Sequence, residues 1–317
     1  MLRRVLICCG FLFLATTVNA APFSALIDFG DSLSDVGNDY NTTLGTTPGS
    51  PGYYDGRFSN GPIWVEKLGQ SLGLGAPTPS SAGGNDFAYG GVTSGTGYTD
   101  LFLPNIETQV NSWTSAHTAT SGELFTMLGG ANDLLDYLGG TSATTPMQAA
   151  DNISASVHTL YTDGARNILV ANLPDLGLTP RFRGTAAQST ATGVSMQFDN
   201  ELASDLATLA SSSNGLHIYN LNLYSLIDQA IATPSQFGLT DVTDQAYTGD
   251  TTFAGNGTAV SNASGYLFWD SIHPTTTGHA VIAAAALTAI PEPAGLAMIA
   301  VAMVSLLRRT TRHSQPT

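Results

Sequence analysis

Short apolar runs recur along the chain, separated by longer amphipathic segments. Ala25-Leu26-Ile27, Glu123–Leu128, Ile168-Leu169-Val170 and Leu216–Tyr219 have the length and content of buried strands. Gly30 and Asp31 are expected to break the first of them. Asp86-Phe87-Ala88-Tyr89-Gly90-Gly91-Val92 reads as a further short strand running into a glycine turn. Between these runs, apolar residues return at helical spacing. One helix is expected from Asn60 or Gly61, with Pro62 near its first turn and Ile63, Trp64, Leu68 and Leu72 on its buried face. Others are expected over Leu101–Ala116, from about Asp133, over Met147–Tyr161, over Val194–Leu209 and near Leu223–Ile231. The last is expected from about Thr276 to Ala289. Strands that alternate with helices imply an α/β fold with a mostly parallel sheet covered on both faces. Two polar stretches, Asp35–Gly61 and Thr233–Gly265, interrupt the pattern. They are too long for idle connectors and are expected to lie over a functional site.

The two ends carry a different pattern. Met1–Ala20 has a basic start (Arg3, Arg4), an apolar run and the small-residue end Val18-Asn19-Ala20. That is the pattern of a secretory signal peptide cleaved before Ala21. At the other end, Pro291-Glu292-Pro293 precedes an apolar run, Ala294–Leu307, and then Arg308, Arg309 and Arg312. This order reads as a short membrane stop with its positive end in the cytoplasm. A permanent anchor is the alternative, although the run is short of the roughly 20 apolar residues a spanning helix needs. Residues 21–290 then form one domain, long enough for a sizeable core and with no break in composition.

Composition narrows the chemistry. The chain has 24 Asp+Glu against 10 Lys+Arg, a formal net charge of −14. Five of the ten basic residues, but only one acid, lie in the terminal segments, so the domain between them is more acidic still. Such a surface repels nucleic acid and anionic membranes. Both cysteines, Cys8 and Cys9, fall in the signal peptide. The domain therefore has no disulfide, thiolate metal site or cysteine nucleophile. It also has no EF-hand-type loop.

Candidate chemistry gathers at the ends of the strands. Phe29-Gly30-Asp31-Ser32-Leu33-Ser34-Asp35 delivers the Ser32 hydroxyl at a strand's C-terminal end, where open α/β sheets place ligands. An ordinary turn is the competing reading, because Gly, Asp and Ser all favour turns. Gly129-Gly130-Ala131-Asn132-Asp133 places a side-chain amide at the end of another strand, where simple helix capping competes. Asp270 and His273, three apart before the last helix, have the spacing of a carboxylate that orients an imidazole. His217 reads as a packed or exposed strand residue. Gly69-Gln70-Ser71-Leu72-Gly73 matches the G-x-S-x-G nucleophile elbow, but a helix precedes it and a loop follows it, which is the wrong context.

Taken together, Phe29–Asn38, Phe87–Gly91, Gly130–Asp133 and Asp270–Pro274 resemble the four blocks of the GDSL, or SGNH, hydrolase family. Arg57–Trp64 is similar to a segment of its lipase/phospholipase-like branch. The resemblance spans Leu26 to Ala289. It implies a three-layer α/β/α sandwich with a mostly parallel, flavodoxin-like sheet, the SGNH hydrolase fold. It implies an esterase or lipase that acts through an acyl-serine intermediate, needing no cofactor and no metal. Ser32 is implied as nucleophile, His273 as base and Asp270 as its partner. Ser32, Gly91 (with Gly90 as the alternative) and Asn132 are implied as the oxyanion hole. Asp86 departs from the family's usual Asn. The C-terminal segment resembles the PEP-CTERM sorting tail of Gram-negative bacteria. That implies processing by an exosortase, transient membrane anchorage and delivery to the cell surface or to extracellular polymer. Lipid or other small acyl esters and acetylated polysaccharide are the two implied substrate classes. Acyl transfer to an acceptor other than water and a non-catalytic surface or matrix protein on the same fold remain as alternatives.

Overall fold

The structure, a computed structural model, describes residues 23–291. The expected signal peptide and all but the first residue of the expected sorting tail lie outside the described residues. No helix among those described is long and apolar enough to cross a membrane.

Four parallel strands form the central sheet: β1 (Leu26–Gly30), β2 (Leu124–Leu128), β3 (Asn167–Ala171) and β4 (His217–Leu221), adjacent in that order. The free edge of β1 is covered by residues 85–89. There Asp28 N–H donates to Asn85 C=O at 3.0 Å and Phe87 N–H to Asp28 C=O at 2.8 Å, with Asp86 opposite Asp28 in parallel sense. Counting this edge segment as the second element, the spatial order is 2-1-3-4-5, that of the flavodoxin-like sheet.

The helices are α1 (Asn38–Thr42), α2 (Trp64–Ser71), α3 (Ile106–Ala116), α4 (Ala131–Gly139), α5 (Pro146–Asp163), α6 (Gln188–Ser212), α7 (Leu223–Ala232) and α8 (Thr276–Ala289). The strand period of two sorts them into layers. Ile27, Phe29, Phe125, Met127, Ile168 and Val170 point to one face and meet Val110 and Trp113 of α3, Val157 of α5 and Phe198 of α6. Leu26, Leu124, Leu128, Leu169 and Leu221 point to the other and meet Trp64 and Leu68 of α2, Leu223 at the start of α7, and Ile282 and Ala286 of α8. Burial on both faces is why these strands read as unbroken apolar runs.

Several expectations are corrected. β1 runs through Phe29 and ends at Gly30, so the expected break falls at Asp31. The helix expected from Asn60 starts at Trp64, because Glu66 Oε2 caps the Ile63 N–H at 2.8 Å and Pro62 stays outside. The helix expected from Leu101 starts at Ile106, after a loop that contains Pro104. α6 extends beyond Val194–Leu209 at both ends. The stretch Asp35–Gly61 holds the short α1, and Thr233–Gly265 is not plain loop. It carries β5 (Asp241–Gln245), which pairs with β8 (Tyr266–Phe268), and the two-residue strands β6 (Tyr247–Thr248) and β7 (Thr258–Ala259). His217 is an exposed strand residue. Ser71, in the misleading G-x-S-x-G, is exposed and donates to Lys67 C=O within α2.

Candidate active site

The loop after β1 is shaped by its own acidic residues. Asp31 C=O accepts the N–H groups of Ser34 and Asp35, both at 3.0 Å, and Asp31 Oδ1 accepts Leu33 N–H at 3.0 Å. This tight turn holds Ser32 at the C-terminal end of the sheet, 9% exposed. From the far end of the chain, β8 leads into a second turn, closed by Trp269 N–H to His273 C=O at 2.7 Å. Thr275 then caps α8, its hydroxyl accepting Gly278 N–H at 3.1 Å. Two residues of the Arg57–Trp64 segment hold that turn in place. Ser59 Oγ donates to Pro274 C=O at 2.9 Å, and Asn60 Oδ1 accepts Thr276 N–H at 2.8 Å. The segment is itself pinned by Arg57, whose guanidinium pairs with Glu66 of α2 at 2.8 Å.

These turns bring Ser32, His273 and Asp270 into one hydrogen-bonded chain. Ser32 Oγ lies 2.8 Å from His273 Nε2, and His273 Nδ1 lies 2.7 Å from Asp270 Oδ2. All three are buried. Burial pushes the Asp270 carboxyl up. The attraction of His273, its ring N–H and the N–H groups of Ile272 and His273 outweigh that, and hold it below the usual carboxylate range. Asp270 therefore stays ionised while it orients the imidazole.

The remaining predicted residues stand beside this chain. Gly91 follows the edge segment with φ +70, a left-handed conformation that glycine adopts without cost. A Cβ placed there meets nothing within 4 Å. Gly90 N–H donates to Asp35 Oδ2 at 3.0 Å, whereas the N–H groups of Gly91 and Ser32 have no acceptor among the described residues. Of the two glycines left open by the sequence, Gly91 is thus the one with a donor to spare. Asn132 sits in the first turn of α4, which starts after Gly130. That glycine has φ +108, and a side chain there would run into the Phe198 ring. Asn132 Nδ2 donates to Val92 C=O at 2.8 Å, and Asp133 grips Ser94 N–H (2.8 Å) and hydroxyl (2.9 Å). The block Gly130–Asp133 thereby clamps the loop that follows Gly91.

Three residues at the site were not singled out for these roles. Tyr53 and Phe58, from the first of the two long polar stretches, both turn inward: Tyr53 donates to Asp270 Oδ2 at 2.9 Å, and the Phe58 ring lies 5.2 Å from that of His273. Phe253, from the second long loop, stands 5.4 Å from the same imidazole. The two loops lock together, with Gly49 N–H donating to Phe253 C=O at 2.7 Å. Their aromatic content was the available signal; which rings face inward depends on contacts some 200 residues apart.

Beneath Ser32 lies a cluster of buried carboxyls. Asp86 accepts N–H groups from Val36 and Ala88, and Asn38 Nδ2 reaches it at 3.1 Å. Asp28 accepts the Thr126 hydroxyl. Burial, then the charges of Asp28 and Asp35, raise Asp86 well above the usual range. Burial alone is the main cause at Asp28, pushed up to about 7, and at Asp31 and Asp35, each pushed up to about 6. The departure from Asn at position 86 therefore adds an acid that burial favours in its neutral form.

The family profile of the GDSL-like lipase/acylhydrolases matches residues 26–286. The chain is 29% identical over 320 residues to a phosphatidylcholine-sterol acyltransferase of Aeromonas hydrophila, covering 87% of this chain and 94% of that protein. It is 31% identical over 335 residues to the esterase EstA of Pseudomonas aeruginosa, covering 89% of this chain and 49% of that one. A thermolabile hemolysin of Vibrio parahaemolyticus is 27% identical over 273 residues, covering 81% and 62%. The chain thus spans nearly all of the first relative and about half of the second.

Proposed function

The chain belongs to the GDSL-like lipase/acylhydrolase family, and from that premise we propose a serine carboxylic ester hydrolase in which Ser32, His273 and Asp270 form the catalytic triad. The observation that carries this reading is the unbroken chain from Ser32 Oγ through His273 to Asp270. Ser32 Oγ attacks the ester carbonyl carbon while His273 Nε2 takes its proton. The carbonyl oxygen becomes an oxyanion facing the N–H groups of Ser32 and Gly91 and the Asn132 amide. When the intermediate collapses, the alcohol leaves with the proton from His273, and an acyl-serine remains. Water, deprotonated by His273 Nε2, then attacks the acyl carbon; the bond to Ser32 Oγ breaks, Oγ takes the proton back from His273, and the acid is released. An acceptor alcohol in place of that water gives acyl transfer by the same steps.

For the substrate class we favour lipid or other long acyl esters. Tyr98, Leu101 and Phe102, 61%, 58% and 84% exposed, lie on one loop. The base of that loop is tied beside Gly91 by Thr93 N–H to Asn105 Oδ1 at 3.1 Å and Ile106 N–H to Thr93 C=O at 3.0 Å. Apolar side chains held in water on a loop anchored two residues after Gly91 suit a chain arriving with its ester. A second reading, acetylated polysaccharide, draws on a cavity of about 430 Å³ that reaches Tyr53, the hydrogen-bond partner of Asp270. Tyr40, Tyr54, Asp55, Asn60 and Trp269 are among its lining residues, which is a setting for neutral hydroxyls.

Hydrolysis of p-nitrophenyl acetate and octanoate by wild type and Ser32→Ala tests both levels. Loss of hydrolysis in S32A assigns the nucleophile, and retained turnover sinks the triad. Preference for octanoate favours the lipid reading, and preference for acetate favours deacetylation. Export rests on the terminal patterns alone: cleavage before Ala21, exosortase processing of the tail and release at the surface of a Gram-negative cell. Mass spectrometry of the surface-released protein checks it, and a product with both termini intact rules it out.

A further inference from the structure

Asp270 has every acceptor position filled. Oδ1 takes the N–H groups of Ile272 at 3.0 Å and His273 at 2.8 Å, and Oδ2 takes His273 Nδ1 at 2.7 Å and the Tyr53 hydroxyl at 2.9 Å. An ionised carboxylate offers about four such positions. Three donors come from the turn that carries Asp270. The fourth comes from a loop 217 positions earlier. We propose that Tyr53 is a positioning residue of the triad: its hydroxyl fixes Asp270 Oδ2 and withdraws charge from it, which sets how strongly His273 holds its proton.

The placement of Tyr53 is well determined. Its side chain is buried, and its ring is held edge-on by Tyr247 at 5.5 Å, Phe253 at 6.1 Å and Phe58 at 6.2 Å. Phe58 and Phe253 also flank the imidazole, so one aromatic group holds both ends of the His273–Asp270 pair. A phenylalanine would serve this packing equally well; the hydroxyl touches only the carboxylate. Burial, and then the Asp270 charge, push the phenol far above its usual range, so the hydroxyl is a donor at any working pH. The titratable groups around the pair are few. Asp31 and His279 act on His273 through space, Tyr247 on Asp270, and Asp250 on Tyr53.

The sign follows from the charge. Without the hydroxyl, Oδ2 carries more negative charge against Nδ1–H, the imidazolium is favoured, and neutral His273 becomes available only at higher pH. This inference rests on the triad reading above, so its test includes a readout that needs no turnover. In Tyr53→Phe, the His273 imidazole titration followed by NMR and the acid limb of kcat/KM on p-nitrophenyl acetate are both expected to move up by roughly half a pH unit or more. kcat is expected to fall about three- to tenfold as Asp270 loosens. Tyr247→Phe disturbs the same aromatic group but keeps the Tyr53–Asp270 bond, and is expected to move both curves by clearly less than Y53F does. An unmoved titration in Y53F, or an equal shift in Y247F, overturns the proposal. If Y53F does not fold, Tyr53→3-fluorotyrosine, nearly the same shape and a stronger donor, is expected to move both curves down; no movement overturns it. Failure of wild type to hydrolyse esters strikes the triad reading alone, because the NMR titration still reports on Tyr53.

Discussion

The Gly90 N–H donates to Asp35 Oδ2 at 3.0 Å, and that bond leaves Gly91, not Gly90, as the glycine with an unengaged N–H. Gly91 follows at φ +70, and its own N–H has no acceptor among the described residues. Asp35 does more than this: its Oδ1 accepts Gly37 N–H at 2.8 Å and Asn38 N–H at 2.6 Å, and Oδ2 also accepts Asp39 N–H at 3.1 Å. In Asp35→Asn the carbonyl stays with the shorter pair, so the amide N–H groups oppose Gly90 and Asp39. Gly90 is released and the Gly91 donor drifts. The expected result is a kcat lower by about tenfold or more with KM little changed, since the hole acts on the transition state. Steady-state kinetics on p-nitrophenyl esters checks it; a variant with reduced Tm and wild-type kcat would place Asp35 in the fold alone.

Asn132 carries a related prediction. Its Nδ2 already donates to Val92 C=O, so the amide is oriented before substrate arrives. Removing one preorganised donor from an oxyanion hole costs about 10²–10³ in kcat. Asn132→Ala is expected to fall in that range with its circular dichroism spectrum unchanged. A kcat within about twofold of wild type takes Asn132 out of the hole.

Much of this was legible in the chain. The strands announce themselves because both faces are buried, and Ser32, Gly91, Asn132, Asp270 and His273 each follow a strand or precede a helix. Order along the chain then places them at one edge of the sheet. Tyr53 was not legible in its role. Nothing near position 53 distinguishes an inward tyrosine from its neighbour Tyr54, which is exposed, because the acceptor lies 217 residues away. β5 was missed because Asp241-Val242-Thr243-Asp244-Gln245 is polar, with only Val242 fully buried. Its pairing with β8, not its composition, makes it a strand.

The carboxyls beneath Ser32 predict how stability depends on pH. Burial pushes Asp28 up from 3.8 to about 7. The folded state therefore binds more protons than the unfolded chain across that interval, so stability falls as pH rises from about 4 to about 7. Asp270, held low, acts in the opposite direction and loses its contribution only in acid. Asp28→Asn keeps an acceptor for the Thr126 hydroxyl and removes the ionisation. It is expected to flatten the decline in Tm between pH 5 and 8, since a tenfold change in a carboxyl's proton affinity on folding is worth about 1.4 kcal/mol. Thermal melts of both proteins at the two pH values decide it, and parallel curves would show that Asp28 does not contribute.

Phe102 lies in the left-handed region at φ +59 while its ring stands in water. A side chain there costs roughly 1–2 kcal/mol, and no packing offsets it. The conformation is held by Phe102 N–H to Thr99 C=O and Thr99 N–H to Leu103 C=O, both 2.9 Å. Phe102→Gly relieves the strain and deletes the ring, so the two effects separate. Tm is expected to hold or rise. kcat/KM is expected to fall about three- to tenfold for octanoate, in line with partial burial of an aromatic ring against an acyl chain, and to stay level for acetate, whose acyl group is too short to reach the loop. Equal losses on both esters would mean that the loop supports the oxyanion hole and not the chain. No loss on either would remove this loop from substrate selection and leave the cavity beside Trp269 as the stronger guide to the natural ester.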